Sequence, residues 1–351
     1  MSGFPCHPDD FSCAWLAARL GHKERSLRDF SHSPVGTGQV ADSYRLVLDW
    51  VVTGGAPAGP ATVVAKCPAH DPASRKTARD MRLYEIETRW YQTLAAASGV
   101  RTPRVYHAEL GDELDEFVLL MEDCAPAQPL DQMAGASVQQ VHLALGEAAR
   151  LHRHRWDDAR LREVPWLNYN ARNHDVVREL LQAVYPQWRD RYEGRIDTAI
   201  LDMGAELIAR YEAYRVRNMP LVLAHGDFRV DNMLFHAHRR PFIVDWQTVS
   251  AGFPMVDVVY CISTSFADPA MRAASEKQLL RDYLQALGPV AVAYDFDKAW
   301  LDYRRLAFTG FVMSVASAMI VERTERGDEM FAVMAERSGY QALHLDSLAL
   351  L

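Results

Sequence analysis

The chain has 351 residues, enough for two hydrophobic cores, and its composition, 49% apolar and 24% charged, is that of a globular protein rather than a disordered one. A net charge of −8 argues against nucleic acid as the main partner, although a local basic cleft stays open. The five cysteines, Cys6, Cys13, Cys67, Cys124 and Cys261, are scattered and form no CxxC pair, so a disulfide framework or a zinc knuckle is not expected and a reducing compartment fits better.

The first residues show no basic segment followed by an apolar run, so no signal peptide is expected. Residues 42–53 alternate and are rich enough in β-branched side chains for a strand. Gly54, Gly55, Pro57, Gly59 and Pro60 mark a hairpin turn, and 61–67 return as a short apolar strand. The spacing over 73–97 predicts one long helix, with Met81, Tyr84, Trp90, Tyr91 and Leu94 available for one face. Two more strands are expected at 104–109 and 116–121. An antiparallel sheet carrying that helix is the simplest assembly.

Past residue 122 the pattern changes. Helices are expected at 137–155, 175–192 and 198–217, with short apolar strands at 221–224 and 242–245, and mostly helix from about 256 onward. The uncharged stretch 306–321 is short for a membrane span and reads as a buried helix, so no membrane partner and a cytoplasmic location are expected. Pro126 and Pro129 suggest a boundary over 123–129, which divides the chain into an N-terminal lobe (1–122) and a C-terminal lobe (130–351). A nucleotide-sized site would then fall between them.

The strongest chemical signal is His225-Gly226-Asp227-Phe228-Arg229-Val230-Asp231-Asn232, followed by Val244-Asp245-Trp246-Gln247, each after a short apolar strand. Phosphoryl transfer needs an oriented hydroxyl, an in-line phosphate and metal ions that absorb charge. An Asp in a tight loop can orient the hydroxyl and take its proton. An Asn five residues later and a second Asp on a neighbouring strand can offer oxygen ligands to magnesium. Asp227, Asn232 and Asp245 have the types and the order for these roles.

The two runs closely resemble the catalytic and metal-binding segments of the aminoglycoside phosphotransferase and choline kinase superfamily. That resemblance implies an α+β, protein-kinase-like bilobal fold, with a small antiparallel-sheet N-lobe and a larger, mainly helical C-lobe. It implies ATP and Mg2+ as cofactors and a small-molecule hydroxyl as acceptor. Gly226 stands where protein kinases have Arg, and Trp246-Gln247 where they have Phe-Gly, so a small-molecule kinase fits better than a protein kinase.

By the same resemblance Lys66, in Val63-Val64-Ala65-Lys66, would contact the phosphates. Glu87 would be its ion-pair partner, because Glu87-Thr88-Arg89-Trp90-Tyr91 places an aromatic pair after the Glu; Glu85 is the alternative. Gly36 and Gly38 would form the phosphate-covering turn, Ser43 would add a hydroxyl donor, and backbone groups of Glu122 and Cys124 would meet adenine. His225 is expected to make a structural hydrogen bond, and Asp257 to anchor the catalytic loop. Residues 125–220 hold equal numbers of acidic residues and arginines and no lysine, which does not suggest the anionic trap that a polycationic antibiotic favours. The wording of several segments is nearest to ecdysteroid-kinase-like proteins and hydroxyacyl-CoA kinases, so a hydroxylated metabolite with an apolar body is the leading expectation. An aminoglycoside-type resistance kinase, a choline-like alcohol and a catalytically silent nucleotide-binding module are the other readings.

Overall fold

A computed structural model describes residues 3–36, 40–52, 59–168, 174–214 and 218–351. The chain forms two compact units. One comprises 1–96, 102–126 and 245–247; the other comprises 97–101, 127–244 and 248–351. Both are therefore discontinuous in sequence.

The first unit opens with α1 (Cys13–Arg19), which no sequence pattern had suggested. The Ser12 hydroxyl caps it by accepting from Trp15 N at 3.1 Å. Strands β1 (Leu27–Pro34), β2 (Ala41–Trp50) and β3 (Thr62–Pro68) follow, then α2 (Pro72–Asp80) and α3 (Leu83–Thr93); the short α4 (Ala95–Ser98) runs across the division at 96. Strands β4 (Val105–Leu110) and β5 (Phe117–Glu122) complete an antiparallel sheet of order β1-β2-β3-β5-β4.

Alternation places the side chains of this sheet. Val63, Ala65 and Cys67 of β3 join Val118 and Leu120 of β5 and pack with Leu16, Ala17 and Leu20 of the α1 region. Phe117, Leu119 and Met121 turn to the opposite face, against Ala78, Leu83 and Tyr84 of α2 and α3. Because side chains alternate, Lys66 falls on the α3 face, between the apolar Ala65 and Cys67 of the other.

The expected single helix over 73–97 is broken. Met81 ends α2, and Arg82 takes a left-handed conformation, with φ at 55°, before α3 begins. Met81 is exposed at the break instead of packing on the apolar face. The restart lets Tyr84, Glu87 and Trp90 turn inward together, and all three are buried.

The second unit contains β6 (Gln128–Pro129), α5 (Val138–His154), α6 (Pro165–Asn168), α7 (His174–Tyr192), α8 (Thr198–Ala209), β7 (Val222–Ala224), β8 (Met233–Phe235), β9 (Phe242–Ile243) and β10 (Ser250–Gly252). Helices α9 (Pro254–Ser265), α10 (Pro269–Leu287), α11 (Phe296–Arg305), α12 (Thr309–Ile320) and α13 (Glu325–His344) complete it. The predicted helix over 198–217 ends at Ala209 and passes into a 3-10 turn, Tyr211–Tyr214; 215–217 lie outside the described residues. Ser137 and Gln140 form a reciprocal capping box that starts α5. Small ladders, β6-β8-β9 and β7-β10, carry the loops that follow β7 and β9. Helix α12, the uncharged stretch, is largely buried as expected. Among the described residues no helix is long and apolar enough to cross a membrane.

Candidate active site

In the first unit, Lys66 Nζ lies 2.7 Å from Glu87 Oε2 and 2.9 Å from Asp245 Oδ1. Glu85, the alternative partner, instead pairs with Arg82 and approaches Arg89 at 4.0 Å. Burial works against the Lys66 ammonium, but Asp245 and Glu87 outweigh it, so its pKa is raised and the side chain stays charged. Burial raises the Glu87 carboxyl and outweighs the Lys66 ammonium beside it.

Asp245 has φ at 64°, a left-handed conformation that costs a non-glycine residue free energy and that Asp tolerates better than most. Its neighbours hold it there. Gln247 Nε2 donates to Asp245 Oδ2 at 3.2 Å. The Trp246 ring stacks on Trp90 of α3 with centroids 3.9 Å apart, and its Nε1 donates to Thr102 Oγ1 at 3.2 Å. The bulky Trp after Asp245 thus ties 245–247 to the helix that carries Glu87. Trp246 stands out in the sequence, but nothing in the sequence marks its partner.

The other predicted nucleotide residues are distributed as follows. Gly36 has φ at 81°, which glycine adopts without strain, in the turn between β1 and β2; Gly38 lies outside the described residues. Ser43 stands opposite Lys66 in the β2–β3 ladder, so it shares the α3 face. The Glu122 N–H donates to Arg104 O at 2.7 Å, and its carbonyl accepts the Cys124 thiol at 3.8 Å.

In the second unit, Asp227 follows the turn at Gly226, where φ is 85°. Asn232 Nδ2 donates to Asp227 Oδ2 at 2.8 Å and to Asp227 O at 2.9 Å. With its amide hydrogens turned to Asp227, Asn232 keeps its carbonyl oxygen for another partner. Burial pushes the Asp227 carboxyl up, but Arg229, His225, Asn232 and Tyr260 outweigh that, and its pKa is lowered. His225 Nε2 donates to Val244 O at 3.0 Å, while its Nδ1 accepts from Asp227 N at 3.3 Å. Val244 N in turn donates to Asn232 O at 3.0 Å, and the next peptide bond carries the chain into the first unit at Asp245.

Asp257, fully buried in the first turn of α9, anchors this loop. It accepts from His225 N at 2.7 Å, Gly226 N at 2.8 Å and His152 Nε2 at 3.1 Å. Burial raises its pKa, yet these bonds outweigh burial and hold it below the usual carboxylate range. Because the folded pKa is depressed, its stabilisation is complete above the unfolded value of about 3.9 and fades as pH falls through the folded value. Asp257→Ala leaves three buried donors without an acceptor and is expected to cost about 3–5 kcal/mol, read by denaturant unfolding near pH 7. A change under about 1 kcal/mol would remove Asp257 as the anchor.

The model of the phosphotransferase enzyme family matches residues 33–300. The chain belongs to this family. Similar solved structures include a Plasmodium vivax ethanolamine kinase (10% identity, covering 89% of this chain and 83% of that one, TM-score 0.52). A choline kinase from Cryptosporidium parvum Iowa II gives 10% identity, 92% and 91% coverage and a TM-score of 0.51. A GDP complex of aminoglycoside 2'-phosphotransferase-IIIa gives 16% identity, 90% and 94% coverage and a TM-score of 0.50. These likenesses establish the kinase-like α+β fold that the sequence implied. Mouse (Mus musculus) acyl-CoA dehydrogenase family member 10 is 31% identical over 75 residues, which are 21% of this chain and only 7% of that protein's length. Family and fold together give a member of the phosphotransferase enzyme family with a kinase-like fold.

Proposed function

We propose that the protein transfers the γ-phosphoryl group of ATP to a hydroxyl of a small molecule, with a hydroxylated, largely apolar metabolite as the leading acceptor class. Asp227 orients the hydroxyl and takes its proton as the hydroxyl oxygen bonds to phosphorus and the bridging oxygen departs with ADP. A depressed pKa makes Asp227 a weak base, which suits a transition state in which the proton leaves late and orientation matters most.

Lys66 is assigned to the α- and β-phosphates, Gly36, Gly38 and Ser43 to the phosphate-covering turn, and the Glu122 carbonyl with Cys124 to adenine. The Asn232 amide oxygen and the Asp245 carboxylate are oxygen donors of the kind Mg2+ takes. They would hold it, and when bound it would neutralise charge on the phosphates. The observation that carries the reading is Lys66, buried and charged between Glu87 and Asp245.

A panel of hydroxylated metabolites and antibiotics, incubated with Mg-ATP, tests it. At least one alcohol should raise ADP release above the rate with water alone and yield a phosphomonoester by phosphorus NMR. If none is consumed while ATP still raises the melting temperature, the protein is a silent nucleotide-binding module.

A further inference from the structure

The loop that carries Asp227 contains a second charged system that the roles above do not assign. Arg229 Nε donates to Asp227 Oδ1 at 3.1 Å and Oδ2 at 3.3 Å, while its Nη1 donates to Asp231 Oδ2 at 2.6 Å. The other Asp231 oxygen, Oδ1, accepts from Gln132 N at 3.1 Å. Gln132 lies in the turn after β6, and its side-chain Nε2 donates to Thr264 O at 2.8 Å, which fixes the far end of this chain of bonds. Met330 Sδ of α13 sits 3.7 Å from Arg229 Nη1. The Arg229 side chain is 16% exposed, and its guanidinium spans two carboxylates that lie four residues apart in one loop.

We propose that Gln132, Asp231 and Arg229 form a strut that sets the direction of the Asp227 carboxylate, which makes Arg229 a positioning residue for phosphoryl transfer. The geometry favours this over simple charge balance. Asp227 is held by Arg229 Nε, by Asn232 Nδ2 and by the Tyr260 hydroxyl, and only a rigid planar fork can bond one carboxylate through Nε and another through Nη1 at a constant separation. A lysine has one point of charge and could satisfy one carboxylate at a time. The strut rests on the kinase reading given above and deepens it, because its effect is exerted on the acceptor hydroxyl through Asp227.

The test compares wild type, Arg229→Gln and Arg229→Lys with Mg-ATP and either water or the best alcohol of the panel as acceptor. Arg229→Gln should lower kcat by on the order of 10²-fold, the size of loss that a small misplacement of a reacting group produces, with KM for ATP nearly unchanged. Arg229→Lys should fall between the two, and added guanidinium should restore part of the turnover of Arg229→Gln. Unchanged kcat, or a loss expressed in KM alone, overturns the strut. A crystal structure of Arg229→Gln supplies an arm that needs no turnover: the carboxylate is expected to swing away from Asn232, and one that still accepts from Asn232 Nδ2 at 2.8 Å overturns the proposal. A wild-type chain that phosphorylates nothing sinks the kinase reading instead, and the crystallographic arm then decides the strut by itself.

Discussion

Asp227→Asn is expected to lower kcat by about 10²–10⁴-fold while leaving Mg-ATP affinity close to that of wild type. The asparagine keeps the size and part of the hydrogen bonding of the aspartate. Arg229 and Asn232 therefore retain a neighbour, and the fold is spared the orphaned donors that alanine would leave. What is lost is the capacity to take a proton and the negative end that orients a hydroxyl. Calorimetry with Mg-ATP and stopped assays of ADP release separate the two effects. Turnover equal to wild type would remove Asp227 from its role.

The second large effect is expected at Asp245. Asp245→Asn should weaken the dependence on magnesium by more than the 10–100-fold typical of losing an outer-sphere partner, and turnover should fall with it. Asparagine is the right probe because, like aspartate, it tolerates the left-handed backbone found here, at φ 64°. Alanine would add strain of about 1–2 kcal/mol and confuse stability with binding. Lys66 keeps Glu87 at 2.7 Å in this variant, so the ammonium is not stranded. Titrating Mg2+ at fixed ATP measures the effect, and chelation of magnesium should abolish wild-type turnover. A magnesium profile identical to wild type would rule out Asp245 as a ligand.

Much of this was legible in the sequence, for a simple reason: alternation in a strand is local information. Val63, Ala65 and Cys67 against Val64 and Lys66 already place the lysine on the face opposite the deepest apolar run, and the sheet keeps that arrangement. The loop ending in Asn232 was legible because its residue types and spacing are set by chemistry rather than by packing. The break at Arg82 was not, since neither glycine nor proline marks it and an arginine gives no sign of a left-handed φ. The stacking of Trp90 on Trp246 joins residues far apart in the chain, and no periodicity reports such a contact. The commitment of the Glu122 amide to Arg104 escaped for the same reason. Arg229 was visible only as a residue between motif positions; its meaning depends on Gln132, which lies 99 residues before Asp231 in the chain.

The interleaving of the two units has a practical corollary for anyone who wishes to dissect the molecule. A fragment that stops at Pro126 contains every strand of the five-stranded sheet, yet it lacks the three residues at 245–247. Trp90 would then present a bare indole face to solvent, and Lys66 would keep one counter-ion of its two. Supplying a tripeptide from so distant a point of the gene is something truncation cannot do, whereas a circular permutant retains it. Permutation, rather than excision, is the way to move this sheet into another scaffold.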